Sequence, residues 1–245
     1  MAMEPSPPAL LCVAVYRMHP LLPDEYRLRS LRDDSTIREL TFPEVALSAS
    51  RGVVEMVPLP DLFYTFGTSH PGAITLHNYP RYLQTFTDDK GHVVDLAATD
   101  ILRSRERGTP RYNEFRKLMH LPQARTFDDL TDNPAWGQQI RDVYDGNIDS
   151  VDLQVGLYAE PLPPGFGFSD TAFRIFVLMA SRRLKSDRFF TVDYGPALYT
   201  QLGIDWIEKS TMSDVLVRHY PALVPTLARV HNAFQPWPVS GSAGR

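Results

Sequence analysis

Two residues near the start of the chain, Tyr16 and His19, have the types and spacing for redox chemistry. On a helix, a three-residue offset puts both on one face with Cβ atoms about 5–6 Å apart. A neutral imidazole is a common metal ligand, and a phenol held beside a ligated metal can be oxidised. Weighed alone, the pair proves little. A histidine just before Pro20 is more often structural, and a tyrosine at helical spacing more often fills a core. His70, His77, His92, His120, His219 and His231 lack the spacing of metal ligands and read as structural. Gly165-Phe166-Gly167 has no preceding strand or third spaced glycine, so it implies no dinucleotide fold. Ser69 lacks the flanking glycines of a nucleophile elbow.

The elements that must position Tyr16 and His19 follow from the pattern of apolar residues and breakers. A helix is predicted over Leu10–Leu22, stopped near Pro23. Glu25–Leu31 and Ile37–Phe42 flank the polar turn Arg32-Asp33-Asp34-Ser35 and read as a short hairpin. Helices are then expected over Leu59–Gly67, Ala73–Thr85, Val94–Arg107, Tyr112–Met119, Ala135–Tyr144, Ser150–Ala159, Asp170–Lys185, Ala197–Lys209 and Met212–Tyr220. Thr109-Pro110 and the prolines from Pro161 to Pro164 act as stops, and Ser169 as a cap. The first half of the Asp170 helix is apolar nearly all round, so central burial is expected. Residues 238–245 read as a disordered tail. The fold class is mainly α with a short β-hairpin near the N-terminus, arranged as one domain over residues 1–237.

Composition narrows the function classes. The chain has 245 residues, 43% hydrophobic and 22% charged, ordinary values for a soluble globular protein. Its net charge of −4 comes with scattered basic residues, so no nucleic-acid partner is expected. The single cysteine, Cys12, excludes an internal disulfide framework or a multi-cysteine metal site. The apolar run Ala9–Val15 lacks the flanks of a signal peptide. No stretch reaches 18 apolar residues, so no transmembrane segment is predicted. The chain reads as soluble and cytoplasmic, with peripheral membrane association left open.

Three separated motifs carry a family resemblance. Val15–Leu28 (VYRMHPLLPDEYRL) resembles the proximal-haem segment of the animal-type haem peroxidase and cyclooxygenase superfamily. Asp95–Pro122 (DLAATDILRSRERGTPRYNEFRKLMHLP) resembles a stretch shared across it. Asp170–Tyr194, with Asp214–Pro221 after it, is most similar to the fatty-acid α-dioxygenases. The resemblance runs from about Leu11 to Trp237, with the motifs in the family's order.

The resemblance implies a haem-peroxidase-like helical fold, a haem b cofactor and a set of site residues. His19 would be the axial iron ligand and Tyr16 the catalytic radical. Asn113 would accept a hydrogen bond from the second nitrogen of His19. Arg116 would pair with a haem propionate, and Arg183 would hold a fatty-acid carboxylate. Anchoring the carboxylate there places the α-carbon at the tyrosine. The implied partners are a fatty acid with O2, or peroxide with a small-molecule reductant in a generic peroxidase. Full-length members carry their distal histidine and calcium loop in an N-terminal half that this chain does not resemble. The chain is therefore expected to represent the C-terminal half of such an enzyme, with no calcium site. It would be completed by a second polypeptide or act as a non-catalytic binding partner.

Overall fold

The computed structural model describes residues 17–88 and 90–239. Tyr16, most of the helix expected over Leu10–Leu22, and all of the tail beyond Val239 lie outside the described residues. In chain order the main elements are β1 (Glu25–Arg29), β2 (Thr36–Thr41), α1 (Ala49–Met56), α2 (Leu59–Thr68), β3 (Phe86–Thr87), β4 (Val93–Val94), α3 (Leu96–Glu106), α4 (Tyr112–Leu118), α5 (Pro134–Val143), α6 (Leu153–Ala159), α7 (Asp170–Ser186), α8 (Pro196–Lys209) and α9 (Met212–His219). Single-turn helices and 3₁₀ turns join them. The chain is mainly helical, as its sequence suggests. It divides into two compact units, one of residues up to Leu22 with Gly72–Asp187, the other of Pro23–Pro71 with the residues from Arg188 on.

In the first unit, His19–Leu21 forms a 3₁₀ turn with Pro20 at its start and no side-chain cap. The described end of the expected N-terminal helix is thus this single turn. Met18 before it, at φ −97° and ψ 15°, is not helical. The helix expected over Ala73–Thr85 also fails, and only Arg81–Gln84 makes a turn. Pro80 disfavours helical geometry at the residue before it. His77 adopts a left-handed φ of 61°, and the Asn78 amide bonds backbone carbonyls in place of extending a helix.

The core of this unit gathers Tyr112 and Phe115 of α4, Val151, Leu153 and Leu157 around α6, and Ala172 and Ile175 of α7. Almost every residue of α6 is buried. Close approach of α6 to α4 depends on Gly156, where a Cβ would lie 2.2 Å from Tyr112 Cδ2. The α3 helix starts where Asp95 accepts a hydrogen bond from the Ala98 N–H. The α7 helix starts in the same way at Ser169. Only its first turns are buried. Val177 and Leu178 are 48% and 41% exposed, which corrects the expectation of a centrally buried helix.

In the second unit, β1 and β2 pair antiparallel as the hairpin pattern predicts, with Tyr26 opposite Leu40 and a register irregularity at Leu28/Arg29. Leu28 and Leu40 are buried with Val53 and Val57 of the α1 region and Leu62 of α2. The α1 helix has no counterpart in the sequence reading. It is short, and Gly52 weakens its propensity. Thr65 on α2 accepts a hydrogen bond from the Arg29 N–H. The α8 helix is kinked at Thr200, whose φ of 61° is costly for a β-branched residue. Its hydroxyl accepts from the Gly203 N–H and so restarts the helix.

Candidate functional site

The described candidate residues fall into two clusters of the first unit, with Arg183 apart. The first cluster is built on the His19 turn. Its imidazole Nδ1 is buried without a hydrogen-bond partner, while the side chain as a whole stays 28% exposed. The open edge therefore carries Nε2. Asp100 Oδ2 of α3 lies 4.0 Å from Nδ1, and Arg17 Nη1 lies 2.9 Å from Asp100 Oδ1. That ion pair lacks hydrogen-bond alignment, so both Asp100 oxygens are buried and unbonded. The Tyr79 ring packs against the imidazole at 5.4 Å between centroids, with its hydroxyl also buried and unpartnered.

Electrostatics favour a neutral imidazole here. Burial lowers the His19 pKa, with Asp100 opposing and Arg17 adding to the shift. Burial likewise raises the Asp100 pKa against the pull of Arg17, His19 and Arg103. Burial pushes the Tyr79 phenol far up, and the Asp100 charge adds to that. A neutral imidazole with one open nitrogen and a carboxylate behind the other is the donor set of a histidine metal ligand. The buried unbonded atoms of Asp100 and Tyr79 belong to the side chains that flank that same histidine. These residues fit a haem whose iron His19 would hold.

The second cluster holds Asn113 and Arg116 of α4. The Asn113 amide donates to Ala124 O and Asp149 Oδ1, both at 2.8 Å, and its oxygen accepts from the Ala124 N–H at 2.9 Å. The hydrogen bond expected between Asn113 and His19 is absent. Asn113 instead pins the loop after α4, and Asp100 holds the place behind His19. Arg116 Nη1 donates to Glu160 and to Thr171 Oγ1, and its Nε donates to Pro122 O. The Tyr112 hydroxyl reaches the same Glu160 oxygen at 2.7 Å. Arg116 thus ties α4 to the ends of α6 and α7. A groove of about 810 Å³ borders this cluster, lined by Arg125, Asp129 and Asp170 among others. No hydrogen bond or ion pair joins the two clusters among the described residues.

Arg183 is exposed on the last turns of α7 and has no ion pair or hydrogen bond among the described residues. Solvent meets the charge that the sequence placed on an apolar helix. Arg17, Tyr79 and Asp100 were not singled out from sequence. Asp100 had a readable signal, since aspartate is a poor residue for the middle of a helix unless its charge is used. Tyr79 had none, because its role depends on a loop that the pattern reads as helix.

Residues 2–232 match the family described as animal haem peroxidase. Alpha-dioxygenase 2 of Arabidopsis thaliana is 38% identical over 92% of this chain. Alpha-dioxygenase PIOX of Pisum sativum is 36% identical, also over 92%. The Oryza sativa fatty acid alpha-dioxygenase structure superposes with a TM-score of 0.87 at 32% identity, over 94% of the chain. Peroxidase A of Dictyostelium discoideum shares the fold at a TM-score of 0.68 and 22% identity. The chain spans 38% and 37% of the length of the two curated relatives and 40% of the rice chain. By the family match and these identities, this chain belongs to the animal haem peroxidase family.

Proposed function

We propose that this chain carries the proximal share of a haem-dependent oxygenase that acts on fatty acids at the α-carbon, with residues 1–237 working as one haem-peroxidase-like domain. The observation that carries this reading is His19, with Nε2 open and Nδ1 buried against Asp100, in a chain 38% identical to an alpha-dioxygenase. Haem, when bound, would supply the oxidant that makes a radical of Tyr16. His19 would hold the metal through Nε2, and Asp100 would raise the basicity of that nitrogen from behind. Arg183 is free to take a carboxylate, and a guanidinium suits it in two-point contact. The Tyr16 oxyl takes one hydrogen atom from the α-carbon. O2 then adds to the carbon radical. The peroxyl group recovers a hydrogen atom from Tyr16, giving a 2-hydroperoxy acid and restoring the radical. Asn113 and Arg116 brace α4 in this reading. Arg116 reaches a propionate only by sharing its charge with Glu160.

The test is reconstitution of the chain with haemin. A Soret shift lost in His19→Ala is expected, with fatty-acid-dependent oxygen uptake lost in Tyr16→Phe and weakened in Arg183→Leu. A spectrum no different from free haemin would sink the haem reading for this chain. Uptake unchanged in Arg183→Leu would sink the carboxylate role.

A further inference from the structure

We propose that the loop from Gly72 to Tyr79 is a positioning device for His19, with Tyr79 bracing the imidazole and Asn78 latching the backbone beside it. This rests on the reading of His19 as the haem ligand. The turn that carries His19 is three residues long and has no side-chain cap, so its own hydrogen bonds do little to hold it. No hydrogen bond fixes the ring at Nδ1 either, and Asp100 at 4.0 Å acts on it only through charge.

What does hold the turn comes largely from this one loop. Gly72 N–H donates to Leu21 O at 3.0 Å. The Asn78 amide donates to Pro20 O at 2.9 Å and to Ala73 O at 2.7 Å, tying the turn to the loop's own start. A Cβ at residue 72 would come within 2.3 Å of Pro20 O and 2.9 Å of the Asn78 amide, so the approach requires glycine. At the far end of the loop, Tyr79 lays its ring 5.4 Å from the imidazole, tilted by 39°. The loop is tied in turn to α6, where Leu76 N–H donates to Tyr158 O. The Tyr158 hydroxyl donates at 2.6 Å to Arg17 O, just ahead of the turn. The Tyr79 hydroxyl has no partner, so the ring does the bracing.

Two variants of the full chain test this, Tyr79→Leu, which removes the ring, and Asn78→Asp, which keeps the shape but turns donors into acceptors. Tyr79→Phe is the conservative control. In haem-loaded protein, Tyr79→Leu and Asn78→Asp should lower haemin affinity about tenfold and broaden the iron–histidine stretching band. Tyr79→Phe should match wild type. In haem-free protein, the His19 ring resonance, assigned with His19→Ala, should be single and sharp in wild type and Tyr79→Phe. It should be broadened or split in the other two. If wild type takes up no haemin, the ligand reading falls while the resonance measurement still judges the loop. A sharp, unmoved His19 signal in both Tyr79→Leu and Asn78→Asp overturns the proposal. Equal damage from Tyr79→Phe and Tyr79→Leu overturns the brace. If Tyr79→Leu does not fold, the isosteric Asn78→Asp decides.

Discussion

Asp100 Oδ2 lies 4.0 Å from His19 Nδ1, and neither atom is hydrogen-bonded. A buried carboxylate at that distance acts on the imidazole through its charge. It opposes the burial that otherwise drives the His19 pKa down. Asp100→Asn keeps the shape and removes the charge. In haem-free protein His19 should then titrate lower still, because burial and Arg17 act unopposed. A ring proton titration by NMR measures this, and an upward or absent shift would contradict the geometry. In haem-loaded protein the same change should lower the iron–histidine stretching frequency, as the ligand loses basicity.

Asn113 should prove a structural residue. Its amide satisfies both the N–H and the C=O of Ala124, with Asp149 as a third partner. Asn113→Ala leaves buried backbone groups unpaired, at a cost of about 2 kcal/mol. Urea unfolding should show that loss while the His19 ring resonance stays in place. A variant of wild-type stability with a displaced His19 signal would restore the role the sequence suggested.

Much of the frame was legible in the sequence because its signals are local. The Ser169 cap, the break at Thr109-Pro110 and the polar turn between β1 and β2 each involve neighbours in the chain. The site was less legible because its contacts are not local. Asp100 reaches His19 from 81 positions away (100 − 19), and no helical or strand period encodes that. The partners of Asn113 are hidden for the same reason, since an asparagine on a helix does not say which loop it faces. The loop before Pro80 reads as helix by composition, yet its polar groups are committed to the His19 turn. The exposed apolar residues of α7 mark a further limit. Periodicity gives the apolar face of a helix, not what covers it.

Among the glycines of the first unit, Gly156 has the least room for a side chain. An added Cβ would lie 2.2 Å from Tyr112 Cδ2 and 2.3 Å from Cγ, and the ring is fully enclosed between α4 and α6. Neither neighbour is the end of a flexible side chain, so the helices must separate. Gly156→Ala gains helix propensity of about 1 kcal/mol and loses more to overpacking, about 3 kcal/mol. Thermal unfolding should show a net loss, where propensity alone would give a gain. A raised melting temperature would mean that the ring has room to move.

Asp152 gives a pH signature of stability. It is buried, which alone would raise its pKa. Hydrogen bonds from Arg105 and Tyr144 and the charges of Arg111 and Arg105 outweigh that and hold it below the usual carboxylate value. Arg105 Nε lies 2.9 Å from Oδ1 and the Tyr144 hydroxyl 2.8 Å from Oδ2, with Arg111 on Oδ1 as well. Burial, and then Asp152 itself, push the Tyr144 phenol up to about 12, so it remains a donor across the working range. A folded-state pKa below the unfolded one means that the unfolded chain binds more protons as pH falls. The stabilisation is therefore complete above about pH 4 and is lost as pH drops through the folded-state value. Asp152→Asn should cost about 2 kcal/mol at pH 7, since two half-exposed arginines lose a shared partner. Paired urea titrations of wild type and variant should show that gap constant down to about pH 4 and closing below it. A gap that stays open in acid, or one that opens only above neutrality, would mean that ionisation of Asp152 is not what stabilises the fold.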